Sequence, residues 1–147
     1  ARGLNVVLPP WSEEDPHELD VKDRNAFIVL VNSRDQLLVE DELTEIEDLK
    51  RKAKEFIDNR GRDPRLSDSP QKAVISFKGN RGTSYERYIE VYNELWAAYN
   101  ELRNEYANRN FGSTVPELEE ENDTIAIKEI RDEYPIRISE AEPTGGG

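Results

Sequence analysis

The feature that most constrains this chain is Ala26-Phe27-Ile28-Val29-Leu30-Val31, six apolar residues in a row, most of them β-branched or aromatic. A strand that is apolar on both sides needs cover on both faces and neighbours on both edges, so this run belongs in the interior of a sheet. Turn-forming Asn32-Ser33-Arg34-Asp35 follows it, and Gln36-Leu37-Leu38-Val39 supplies a returning strand, which makes a hairpin. Two further strands are expected at Lys72-Ala73-Val74-Ile75-Ser76-Phe77 and at Ile136-Arg137-Ile138-Ser139, the latter alternating apolar and polar as an edge strand does.

Helical periodicity fills the gaps between these strands. Thr44 with Glu47 reads as a capping box opening a helix over 45–59, with Ile46, Leu49, Ala53, Phe56 and Ile57 on one face. Its surface pairs are expected to be Glu47–Arg51 and Asp48–Lys52. Thr83 with Glu86 reads as a second box before the longest helix, whose wide apolar stripe carries five of the six tyrosines. That stripe is expected to face the core with its hydroxyls at the rim, in preference to forming an aromatic ligand platform. Residues 116–133 read as one acidic helix, its glutamates set at the positive end of the helix dipole. The expected architecture is α+β, a small mixed β-sheet with helices packed on one face. Residues 1–20 form an extended arm, 21–142 the domain, and 143–147 a glycine-rich flexible tail or cloning scar. The chain opens on Ala1 and has no methionine, so it is expected to be part of a longer protein.

A net charge of −12, from 32 acidic and 20 basic residues, disfavours nucleic acid and direct contact with anionic lipid. Without cysteine there is neither a disulfide framework nor a thiolate, and the redox compartment stays open. The single histidine, His17, sits in an acidic, proline-flanked stretch and reads as a surface residue. Carboxylate pairs are numerous enough to arise by chance. Lys78-Gly79-Asn80-Arg81-Gly82-Thr83-Ser84 occupies the place of a phosphate loop between strand and helix but lacks the Gly-Lys-Ser/Thr ending, so it reads as a turn. Arg60, Arg62 and Arg65 lie close together on a loop that reads as solvated. Neither a cofactor nor a metal nor a catalytic residue is expected, and the chain is not expected to be an enzyme.

Several strings in order carry a resemblance. Val6-Val7-Leu8-Pro9, the hairpin 27–39, Ala73-Val74-Ile75-Ser76 and Thr83-Ser84-Tyr85 resemble the periplasmic domain of the ExbD/TolR family of biopolymer-transport proteins, over nearly the whole chain. The loop 60–71 and the insertion 108–134 depart from that pattern. The resemblance implies the periplasmic part of a bacterial inner-membrane single-pass protein, whose proton-relaying membrane helix has no counterpart here. It implies an ExbD-like subunit of a proton-motive-force-driven motor that energises outer-membrane transport. The implied partners are an ExbB/TolQ-type membrane subunit, a TonB/TolA-type protein and a second copy of the chain. The alternative within the family is TolR-like binding of peptidoglycan. Partner contacts are expected by strand addition at the arm, Val6, Val7, Leu8 and Pro9, and at the last strand, Ile136, Arg137 and Ile138.

Overall fold

The computed structural model describes residues 3–6 and 19–141. Val7, Leu8, Pro9, His17 and the tail 143–147 lie outside the described residues. The arm is described as far as Val6: β1 (Gly3–Val6) pairs antiparallel with β2 (Leu19–Lys22), Val6 opposite Leu19. The described parts of the stretch read as an extended arm, 3–6 and 19–20, are therefore strand. A short 3-10 turn, Asp23–Asn25, leads into β3 (Ala26–Val31), β4 (Leu37–Val39) and β5 (Glu42–Leu43). Then come α1 (Ile46–Ile57), β6 (Val74–Gly79), α2 (Tyr85–Phe111), α3 (Val115–Glu120), α4 (Thr124–Glu133) and β7 (Ile138–Ala141).

The main sheet has the order β5-β4-β3-β6-β7. The apolar run at β3 is central, antiparallel to β4 and parallel to β6, and β7 is parallel to β6 at the edge. Parallel neighbours require crossovers, and α1 supplies the first while α2 to α4 supply the second. Phe27, Val29, Val31, Leu37, Val39, Ile75, Phe77 and Ile138 turn to the helical side, where they form one core with Leu49, Ala53, Phe56 and Ile57 of α1 and Val91, Leu95, Ala98, Tyr99 and Leu102 of α2. Fully burying each large side chain contributes about 1.5–3 kcal/mol. The Phe27 and Phe56 rings stack at 5.0 Å, joining the central strand to α1. The fold is thus α+β, with a mixed sheet and its helices on one face.

Four local expectations are corrected. α1 is capped by the backbone at Glu45 without a side-chain cap, because the Thr44 hydroxyl donates to the Glu42 carbonyl instead. Arg51 pairs with Asp48 and Glu55, not Glu47. α2 is capped by Ser84, which accepts from the Arg87 N–H at 3.1 Å, while Thr83 donates to the carbonyls of Val31 and Asn32. The acidic helix is two: α3 opens with a Thr114/Glu117 capping box, Asn122 turns left-handed at φ 56°, and Asp123 caps α4 through the Ala126 N–H. At α2 the displaced cap is a hydroxyl one residue along that reaches the freed backbone donor, while at α1 no side chain does.

The loop 60–71 is tied down from inside. Buried Ser67 donates to the Phe56 carbonyl at 2.6 Å, satisfying an orphan acceptor at the end of α1, and Asn59 holds the carbonyls of Asp63 and Ser67. Asn25 and Asp68 bond reciprocally, and Arg24 pairs with Asp68 at 2.9 Å. The cationic cluster expected there is neutralised: Arg60 holds Asp58 and Glu133, and Arg65 holds Asp63.

The β4–β5 connection is a two-residue turn in which both Glu40 (φ 50°) and Asp41 (φ 66°) are left-handed, the geometry for which Asn-Gly is preferred. Asp41→Gly is expected to stabilise the domain by about 0.5 kcal/mol, since relief of about 1–2 kcal/mol of left-handed strain outweighs the extra unfolded-state entropy of glycine. Urea unfolding of the two proteins checks this, and a lower midpoint for the glycine variant would contradict it.

Candidate functional site

β7 is the last strand of the main sheet and pairs along one side with β6. The Ile75 N–H donates to the Arg137 carbonyl at 2.9 Å, and Ile138 lies opposite Ile75. Alternate residues of a strand address the same neighbour, so Ser139 and Ala141 also turn toward β6, and the backbone N–H and C=O groups of Ile138 and Glu140 point away from the sheet. No strand pairs with that side among the described residues. The opposite edge differs: β5 is two residues long, acidic and exposed, a poor template for extension.

Along the helical side of β7 runs a row of aromatic rings. Tyr88, Tyr92 and Trp96 recur at four-residue spacing, which places them on one face of α2. Tyr88 stacks on Phe77 of β6 at 4.7 Å, Tyr88 and Tyr92 are nearly parallel at 6.4 Å, and Trp96 meets Tyr92 edge-on at 6.2 Å. All three are only half-buried, unlike Leu95 and Tyr99 on the same helix. Gly79 makes the close approach possible, since a Cβ there would come within 3.1 Å of the Tyr88 ring. The Tyr88 hydroxyl donates to the Glu140 carboxylate, tying the edge strand to the row.

The expected contact residues occupy different roles. Ile138 is fully buried and its side chain belongs to the core, and Ile136 packs against the same core. Arg137 gives its carbonyl to β6 and its guanidinium to the Gln71 carbonyl. Gln71 in turn donates to the carbonyls of Asp132 and Glu133 at 3.1 Å, so this chain of bonds sets where β7 begins. Ile138 being buried as a whole residue, what the edge offers is the backbone at exposed Glu140, together with the partly exposed Tyr88, Tyr92 and Trp96. Glu140 had no signal in the sequence, because a lone glutamate after an apolar-polar alternation reads as the end of a strand.

Other places where chemistry could sit are accounted for locally. At the strand-to-helix turn 78–84, the Asp35 carboxylate accepts from the Ser84 N–H at 2.8 Å, and that bond holds the Asp35 carboxyl below its usual range. The start of α2 is therefore occupied by the protein's own anion. Glu40 accepts from the Ile28 N–H, and burial, more than the neighbouring Asp41 and Asp23, raises its carboxyl. It lines a groove of about 710 Å³ with Arg24, Phe27, Lys52, Glu55 and Leu66, and no serine or threonine is among the lining residues. Among the described residues no three acidic or histidine side chains come together as metal ligands, and no helix is long and apolar enough to cross a membrane.

The tyrosines carry a pH signature. Burial, with the Glu140 bond second, raises the Tyr88 phenol; burial also raises Tyr92 and Tyr134, and complete burial pushes Tyr99 up to about 12. A phenol raised on folding contributes stability that is fully present below the unfolded value near 10 and is lost as pH climbs toward the folded value. Stability is therefore expected to fall steadily above about pH 10, with much of the tyrosinate absorbance near 295 nm appearing together with unfolding. Absorbance and far-ultraviolet dichroism followed on one alkaline titration check this; complete ionisation with the dichroism intact would contradict it. No protein-family model matches the chain, and no curated protein matches it in sequence.

Proposed function

We propose that this chain is a non-catalytic relay, the periplasmic domain of an ExbD-like subunit of a proton-motive-force-driven motor, and that it engages an extended segment of a TonB-type partner by adding it to β7. The observation that carries the reading is the outward backbone of exposed Glu140 on the last strand of the sheet, with a partly exposed aromatic row beside it. An added strand would take its affinity from main-chain hydrogen bonds, which are tolerant of sequence, and its register from alternate side chains lying on Tyr88, Tyr92 and Trp96. A charge of −12 favours a basic or neutral segment over an acidic one. The order hairpin, helix, strand, long helix and final strand also agrees with the resemblance drawn from the sequence.

On this reading the domain itself carries no proton and makes no bond; its work is to hold a partner where the membrane-embedded part of the motor can pull on it. A homodimer with ExbB/TolQ-type subunits around it belongs to the same reading.

The test is a titration of the isotope-labelled domain with a synthetic extended segment of the cognate TonB-type protein, read by amide shifts. Shifts are expected at 138–141 and along the Tyr88, Tyr92 and Trp96 face. Glu140→Pro removes the outward N–H and is expected to weaken binding at least roughly tenfold, whereas Glu140→Gln keeps that donor and binds nearly as well. Equal binding by both variants, or shifts confined elsewhere, would sink strand addition at β7; capture on purified peptidoglycan with no response to the peptide would favour a cell-wall role.

A further inference from the structure

Away from the β7 edge, α2, α3 and α4 enclose a cavity of about 390 Å³, near the lower end of the range of roughly 300–1,000 Å³ typical of ligand sites. Two guanidinium groups line it, Arg103 from α2 and Arg131 from α4. Neither forms an ion pair with a carboxylate among the described residues. Partly covered Arg24, Lys54, Arg60 and Arg87 each hold at least one carboxylate, and acids outnumber bases 32 to 20. The Nε of Arg103 donates to the Tyr134 carbonyl at 2.9 Å, which fixes the plane of the group. Burial, and then the neighbouring Arg131 charge, lower the Arg103 pKa, Arg103 being half-buried and Arg131 exposed. Two guanidinium groups side by side at one cavity, without a carboxylate between them, favour an anion there.

The rest of the lining narrows which anion. Asn104 uses its Oδ1 to accept the Val115 N–H at 2.9 Å, which leaves the amide's N–H donors for another partner, and Asn100 stands one turn earlier. Ile127 and Ile130 form an apolar wall beside these donors, and Glu119 is the one acid in the lining. The overall charge of −12 works against a multiply charged ligand such as a polyphosphate. A single carboxylate next to an apolar side chain satisfies both the fork of donors and the wall, and a planar guanidinium matches a carboxylate with two parallel hydrogen bonds.

We propose that this cavity binds the C-terminal carboxylate of a peptide whose last residue is apolar, with Arg103 and Arg131 on the carboxylate, Asn100 and Asn104 supporting it, and Ile127 and Ile130 receiving the terminal side chain. The site is separate from strand addition at β7 and does not depend on it: it reads the end of a chain, where the sheet edge reads an extended middle.

The experiment uses the full chain, isotope-labelled, titrated with N-acetyl-Ala-Ala-Val-Leu as the free acid, with the same peptide as its C-terminal amide, and with inorganic phosphate. The free acid is expected to shift amides in 100–104, 115–119 and 127–131. The amide peptide is expected to bind roughly tenfold more weakly, as loss of charge-assisted hydrogen bonds implies. Arg131→Gln, at an exposed residue without an ion pair, is expected to keep the thermal midpoint and lose a similar factor; Arg103→Gln should lose more but also frees the Tyr134 carbonyl, so Arg131→Gln is the deciding variant. Equal affinity for acid and amide, undiminished binding by Arg131→Gln, no shift at millimolar acid, or phosphate binding as tightly as the peptide would each overturn the proposal. Glu140→Pro should leave this titration unchanged, so failure here and failure at the β7 edge are told apart.

Discussion

A helix of 27 residues cannot be buried by strands of six. α2 is about 40 Å long at 1.5 Å per residue, while β6 spans about 20 Å, so the sheet can cover only about half of it. The N-terminal half, through Val91, Leu95, Ala98, Tyr99 and Leu102, lies on the sheet and joins the main core. The overhanging half needs its own cover, and α3 and α4 supply it: Ala107 packs with Leu118, Ala126 and Ile130 in a second small core. The segment 108–134 follows physically from the length of α2. Left-handed Gly112 lets the chain turn back along the helix it has just left.

The same overhang shapes both candidate binding surfaces. Because the return path runs through α3 and α4, the chain reaches β7 last, and β7 can only add to the outside of β6. Its start is held by Arg137 and Gln71 against the end of α4, and its helical side by the Tyr88 bond to Glu140. A strand fixed at one end and along one side is a preorganised template, which lowers the ordering cost that a partner strand would meet. The cavity between α2, α3 and α4 has the same origin. Small Ala107 and Ala126 sit beside the larger Leu118 and Ile130 where these helices meet, which leaves room next to the contact, and the two arginines line it.

Much of the sheet was legible because its signals are local and redundant. Six consecutive apolar residues at 26–31 have no good alternative to a central strand, and the spacing of Leu49, Ala53, Phe56 and Ile57 fits only one face of a helix. Caps were misplaced where two hydroxyls compete within one residue, as Thr83 and Ser84 do, since the winner depends on which carbonyl the other finds across the fold. The break at Asn122 was hidden because a left-handed asparagine leaves no trace in periodicity. The β7 register moved by two residues because Pro135 and Ile136 look strand-like, while the bonds from Gln71 to the end of α4 delay pairing until Ile138. Of the candidate site, the edge position was readable and its composition was not: the row Tyr88, Tyr92, Trp96 becomes distinct from the buried Leu95 and Tyr99 only when the helix is laid on strands of finite width.

Charge explains why these two surfaces stand apart from the rest of the exterior. Several cations at the surface pair with nearby acids, as in Lys50 and Lys54 against Glu101 and Lys128 against Asp132, and such pairs contribute little to stability while keeping the surface hydrated. A hydrated, net-negative exterior resists casual association, so association falls to places where the desolvation cost is low or is repaid. The β7 edge is one, because its backbone groups and half-exposed rings carry no net charge apart from Glu140, whose carboxylate is already engaged by Tyr88. The Arg103–Arg131 cavity is the other, because there an incoming carboxylate meets two guanidinium groups at once. On the relay reading, a domain that must grip and release under load gains from this division. Backbone pairing along an edge resists force through several bonds at once, while a single ion-paired chain end fixes position without adding much to the total affinity.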